Sequence, residues 1–288
     1  MSEPEDHEGQ AMSRCISVPW HMYRHYPADF SRWSESASGF HGWASEVRDL
    51  DLDRCCLAMM HFPDTGLSAE TEWGPDSPNP AALGTVEWVP RTMDVMTFRM
   101  PRLIEASRKA GMLVAHVGVS ADFHKFGEIW ENCEREAGEA PKGANETVDR
   151  GWQAQHQRDV FDLPRPQPEE VPHHSFLLPD VFRPVGTDII AEHAWQLHRL
   201  LQNRGIDHIL YTGWALNWCL WFSPCGMSDM SRTGYLCSAV RGGCVAIENR
   251  ESAVGEGHLE YALWKTSTMF GYVFELHELT NALRISDK

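Results

Sequence analysis

The chain has 288 residues, of which 42% are hydrophobic and 23% charged, a globular composition with ample material for a core, which excludes disorder over most of its length. Its 41 acidic residues outweigh 25 Lys and Arg, giving a formal charge of −16, and such a field excludes nucleic acid as an expected partner. The residue types in excess are 12 Trp, 15 His and 8 Cys, and chemistry is expected among them.

No run of about 18 apolar residues is present, so no membrane span is expected. The opening MSEPEDHEGQ is acidic and lacks the apolar stretch of a secretory signal. The cysteines (Cys15, Cys55, Cys56, Cys133, Cys219, Cys225, Cys237, Cys244) are too sparse for a disulfide framework. Reduced thiols in a cytoplasm are the expectation.

In chain order, residues 1–10 read as a solvated tail. Residues 15–50 are rich in aromatics and His without a clean period, so 1–50 is expected to be an irregular arm packing on a domain or a partner. A single domain over 51–288 begins with Cys55–Met60, a short apolar run that predicts a buried strand. Residues 64–92 read as loop. Pro101–Ala110 predicts a helix with Leu103, Ala106, Ser107 and Ala110 on one face, stopped by Gly111, and Met112–Val117 a strand. Residues 121–172 are long and polar and predict an insertion with some helix, a lid or subunit contact. Ile190, Ala194, Leu197, Leu200 and Leu201 predict a helix closed by Gly205. Ile206–Thr212 and Tyr235–Val240 predict strands, Leu259 and Leu263 a late helix, and Tyr272–Leu276 is a last apolar run. Alternating strands and helices predict an α/β fold with a parallel sheet covered on both faces.

Parallel sheets bind ligands at the carboxyl ends of their strands. Three such ends stand out: His61, Ser120–His124 and Gly213–Cys219. In the last, an apolar strand runs into Gly213, a short turn, and Cys219 where a helix can begin. A thiol at a helix N-terminus has a favoured thiolate, and the free N–H groups of that turn can hold an oxyanion. The device suits nucleophilic attack on an acyl or amide carbon. The competing reading is a buried Cys that fills space. Pro224, five residues on, disfavours a long helix there, so one turn or a kinked helix is expected.

The stretch Arg204-Gly-Ile-Asp-His-Ile-Leu-Tyr-Thr-Gly-Trp-Ala-Leu-Asn-Trp-Cys-Leu220 resembles the nucleophile segment of the isochorismatase-like cysteine hydrolases, roughly R-G-I-D-x-(apolar)3-T/A-G-V-A-T-N/D-x-C-V. Gly213, Ala215, Asn217 and Cys219 fall on it in register. Arg108-Lys-Ala-Gly-Met-Leu-Val is similar to the family's A-R-x-x-G-x-x-V, and Gly234-Tyr235 before a strand also fits. The resemblance covers about 50–285, is specific at 204–220, and marks a divergent member. It implies a three-layer α/β sandwich with a central, mostly parallel sheet, hydrolysis of amides or related C–N bonds of small molecules, no cofactor, and frequent homo-oligomers.

The resemblance also implies a Cys–Asp–Lys design, from which the chain departs. The position matching the Asp is His61, whose imidazole can still act as base. The position matching the Lys is His193, or else Glu192. Leu216 stands where the family has Thr before the nucleophile, and Gly242 where an Asp is expected. Either the triad is rewired as Cys219–His61–His193, or catalysis is lost and the fold serves as a binding or assembly scaffold. In the first case amides at Ala215–Cys219, Leu216 among them, hold the oxyanion, and Trp214 and Trp218 line the pocket or pack.

A metal reading rests on Asp122 and His124, similar to a nicotinamidase-branch D-x-H, with His173 in a later His-His-Ser-Phe. Imidazole and carboxylate would suit zinc or iron. The plainer reading is a surface Asp and His in a loop.

Overall fold

In a computed structural model, residues 14–25, 31, 40–62, 89–118, 123–144, 156 and 178–286 are described. The elements are β1 (Cys15–His25), β2 (Phe40–Asp51), β3 (Cys55–Met60), α1 (Val89–Asp94), α2 (Met100–Lys109), β4 (Leu113–Val117), α3 (Gly127–Ala137), β5 (Ile189–Ala191) and α4 (Ala194–Gln202). They continue with β6 (His208–Gly213), α5 (Cys219–Phe222), α6 (Met227–Arg232), β7 (Leu236–Cys244), α7 (Gly257–Met269), β8 (Val273–Glu275) and α8 (Leu276–Ser286). A wider π-type turn, Val95–Arg99, joins α1 to α2.

The strands form one eight-stranded sheet in the order β2-β1-β8-β7-β6-β3-β4-β5. β3 through β8 pair in parallel. Every residue of β3 and of β6 is buried, as strands covered on both faces require. One face packs against α3, α4, α5, α6 and α7 through residues such as Cys133, Leu197, Leu200, Leu220, Met227 and Leu263. The other packs against α1, α2 and α8 through Met96, Met100, Leu103, Leu279 and Leu283. The result is the expected three-layer α/β sandwich.

Three expectations need correction. Residues 15–50 are not irregular: β1 and β2 form an antiparallel hairpin that joins the same sheet. The aromatics that blurred its period stack on one another and on the sheet's end, with Trp20 4.9 Å from Tyr272 and 5.3 Å from Phe274. Ile190 belongs to the short strand β5, and the helix begins only at Ala194. The end of the stretch read as loop is helical from Val89. Of the proposed insertion, α3 buries Cys133 and Ala137 in the core, and most of the remainder lies outside the described residues.

β4 and the segment entering β5 are fastened by a buried ionic group. The Asp188 carboxylate accepts from the Arg108 guanidinium at 2.5 Å, lies 3.1 Å from His116 Nε2, and accepts the Val185 N–H at 3.1 Å. Asp188 is largely dehydrated, which raises its pKa, yet its bonds to His116 and Arg108 more than offset this and hold it ionised.

Candidate active site

β3 and β6 run side by side and end together, with Met60 opposite Gly213. The fit needs glycine. Gly213 has φ +115°, and a Cβ there would lie 1.8 Å from the Met60 carbonyl oxygen. The chain past β3 is His61, whose φ of +53° is the left-handed region that costs a non-glycine residue roughly 1–2 kcal/mol. Its ring fills space left at the end of β4, where a Cβ on Gly118 would lie 3.1 Å from His61 Nε2.

From Gly213 the chain turns through a cis Trp214–Ala215 peptide and enters α5 at Cys219. α5 is one turn, ending before Pro224. The groups that act on the Cys219 sulfur as hydrogen-bond partners of its thiolate are the His61 ring, the Ser223 side chain and the Ala215 backbone. Partial burial pushes this thiol's pKa up. Those hydrogen bonds and the charge of a protonated His61 pull it down further, so it settles below the ordinary thiol value. The contrast within the chain is sharp. Burial pushes Cys237 and Cys244 up to about 12 and raises Cys55, Cys56 and Cys225 as well. Cys219 is thus a thiol with a physical reason to ionise more readily than those buried ones.

The turn's amides divide into used and available. Leu216 donates to the Val245 carbonyl at 2.8 Å, and its side chain is fully buried. It therefore provides neither an oxyanion donor nor a pocket wall, contrary to expectation. Trp218 and Leu220 both donate to the Ala215 carbonyl at 3.0 Å. The N–H groups of Asn217 and Cys219 take no acceptor among the described residues. With Ala215, whose N–H points at the sulfur, they are the donors open to a developing oxyanion. The Asn217 side chain fixes the turn from the other side, donating to the Ile247 carbonyl at 2.9 Å and accepting its N–H at 3.0 Å.

Among the described contacts none joins His193 to Cys219. Its N–H donates to Gln196 Oε1 at 3.2 Å and its ring stacks on Trp195 at 6.1 Å, at the start of α4. The described interactions of Cys219 bring in His61 and do not bring in His193. Glu192, the other residue considered at that position, is half-buried, and burial holds its carboxyl above the usual carboxylate range.

The two tryptophans separate. Trp214 is 5% exposed and packs on Phe62 at 4.7 Å, so it is core. Trp218 is 45% exposed and immediately precedes the nucleophile position. Of the metal candidates, Asp122 and His173 lie outside the described residues, and His124 is exposed on a short turn, Phe123–Phe126. Among the described residues no group of three or more His, Cys, Asp or Glu is placed to hold a metal ion. Nor is any described helix long and apolar enough to cross a membrane.

No family model matches this chain, and no curated protein does. Solved structures do. A cysteine hydrolase from Pseudomonas syringae pv. phaseolicola 1448A is 14% identical, with 82% of this chain and 95% of that one covered and a TM-score of 0.48. An isochorismatase family protein from Desulfovibrio vulgaris subsp. vulgaris str. Hildenborough is 16% identical over 80% of this chain and 98% of that one, with a TM-score of 0.41. An N-carbamoylsarcosine amidase from Thermoplasma acidophilum is 12% identical over 78% of this chain and 98% of that one, with a TM-score of 0.38.

The structure adds to the site two residues the sequence did not single out, Ser223 and Gly118, and gives Asn217 a role it did not assign. Ser223 reaches back one turn to the sulfur, Gly118 makes room for the His61 ring, and Asn217 ties the turn to the loop after β7. Ser223 carried a usable signal, since it lies four residues after the nucleophile position and so on the same side of a helical turn.

Proposed function

We propose that the protein is a cysteine-dependent hydrolase of an amide or related C–N bond in a small molecule, working with a Cys219–His61 pair. The observation that carries this reading is the Cys219 thiol, hydrogen-bonded to His61 at adjoining strand ends and held below the ordinary thiol pKa. His61 takes the thiol proton, and the thiolate attacks the substrate carbonyl carbon. The carbonyl electrons move to oxygen, where the N–H groups of Asn217, Cys219 and Ala215 can receive the charge. The tetrahedral species collapses, the C–N bond breaks, and His61 gives its proton to the departing nitrogen. Water then loses a proton to His61 and attacks the thioester. The C–S bond breaks, the acid leaves, and the pair is restored.

Two measurements test this on the full chain. The first follows alkylation of Cys219 against the exposed Cys15 by mass spectrometry between pH 6 and 8, with chloroacetamide as probe. The second measures ammonia release from a panel of small primary amides, for wild type and Cys219→Ala. Faster modification of Cys219 than of Cys15 below the ordinary thiol range, with turnover abolished by Cys219→Ala, is expected. Equal reactivity of the two thiols and no turnover would support the scaffold reading instead. Full turnover in Cys219→Ala would overturn the proposal.

A further inference from the structure

On the face of the sheet covered by α1, α2 and α8, a cleft of about 780 Å3 opens at the end of β7. This volume lies within the range of small-molecule sites. Five arginines line it: Arg91, Arg99, Arg102, Arg241 and Arg284. Three carboxylates share the lining, from Asp94, Glu256 and Glu275. The chain as a whole has 41 acidic residues to 25 basic ones, so the local balance is the reverse of the global one.

Three of the guanidinium groups are held in place by the protein. Arg91 donates to the Ala246 carbonyl at 3.3 Å, and Arg99 pairs with Asp94. Arg241 bridges Glu275 at 3.4 Å and Glu260 at 3.2 Å and lies 5.2 Å over the Trp43 ring. The other two differ. Arg102 and Arg284 are exposed at the cleft and make no ion pair among the described residues. Two like charges brought to one cleft repel each other unless an anion lies between them. Thr280 and Asn281 add neutral hydrogen-bonding groups to the same wall, and Val95 and Leu276 an apolar part. Guanidinium forks match the oxygens of carboxylate and phosphate in a bidentate way, which a lone ammonium does not.

We propose that this cleft is a binding site for a small polyanion bearing phosphate or paired carboxylate groups, separate from the Cys219 site. Neither Cys219 nor His61 lines the cleft, so the inference does not depend on the hydrolase reading. Arg102 and Arg284 supply exposed guanidinium groups outside any close ion pair, Arg284 also lying in the field of the exposed Glu105 carboxylate, and Arg91, Arg99 and Arg241 supply the fixed part of the cradle.

Calorimetric titration of the full chain at low ionic strength tests it, with pyrophosphate and succinate as probes. Saturable binding of at least one is expected. Tighter pyrophosphate binding assigns the site to phosphates, and tighter succinate binding to dicarboxylates. A double variant, Arg102→Gln with Arg284→Gln, should weaken binding by about tenfold or more, because charge-assisted bonds are lost. Cys219→Ala should bind the probe as wild type does. Both arginines are exposed, so the double variant should fold, which its melting curve checks. The proposal is overturned if neither probe binds at millimolar concentration, or if the double variant binds undiminished. It is also overturned if the substitutions change the sedimentation mass while no saturable probe binding exists, since the arginines would then serve an interface between copies.

Discussion

The two ends of β6 place a histidine in opposite circumstances. At its start, His208 is 5% exposed, with Nε2 2.7 Å from Ser238 Oγ and the Trp20 and Phe274 rings 5.4 and 5.9 Å away. Burial drives its pKa down to about 3, so it stays neutral and structural. At the other end, His61 meets a thiol that is only partly covered and pulls that thiol's pKa down. The closed end is roofed by the β1–β2 hairpin through Trp20, whereas the open end lies at the carboxyl edge of the parallel strands. A histidine becomes chemically useful where a partner that gains from its charge stands beside it and water still reaches both.

The largest expected effect comes from removing the partner at the open end. His61→Ala should lower kcat/KM on any amide the protein hydrolyses by about 10²–10⁴, the usual share of a general base. It should also shift the pH dependence of Cys219 alkylation upward. An unchanged profile would mean that the two ends of β6 do not differ as described.

The closed end predicts an acid sensitivity. His208 has its ordinary pKa of 6.5 when unfolded and about 3 when folded. Between those values the unfolded chain holds the extra proton, so stability present above pH 6.5 is lost as pH falls towards 3. From pH 7 to pH 5 the loss assignable to His208 is on the order of 2 kcal/mol, at about 1.4 kcal/mol per unit below pH 6.5. Urea melts at the two pH values measure it, and His208→Gln, which keeps a donor for Ser238, should lose that part of the slope.

A smaller effect is expected from the latch behind the nucleophile turn. Asn217→Ala removes two hydrogen bonds to Ile247 and should cost about 1–3 kcal/mol of stability. Because the turn then loosens, alkylation of Cys219 should lose part of its advantage over Cys15. A stable variant with unaltered alkylation would show that the turn holds its shape without Asn217.

Much of this layout is legible in the sequence where burial is complete. Cys55–Met60 and Ile206–Thr212 are continuous apolar runs because their strands are covered on both faces, and they lie within two residues of the observed strands. The hairpin was illegible because its outward face is not polar. Trp20, Tyr23 and Trp43 find their partners in β8, α7 and each other, far away in sequence. Cys219 and His61 could be paired from strand-end reasoning, since β3 and β6 are neighbours. The place of His193 could not be read that way, because letters do not reveal how many strands separate two ends. Leu216 looked available for the same reason: whether an amide is spent on a loop after β7 depends on a contact 29 residues away.

The hairpin has one more effect, at the border of the sheet. Without it the parallel sheet would end at β8, a strand of three residues. With it the sheet ends at β2, which is twelve residues long and whose outer edge has no neighbouring strand among the described residues. Long bare edges invite strands from other molecules. β2 carries Glu46, Arg48 and Asp49 in four residues, Glu46 is ion-paired to both Arg24 and Arg48, and Asp49 accepts from the Ser17 hydroxyl. An incoming strand would have to lie along this charged row, so the border is equipped to stop the sheet from growing onto a second chain.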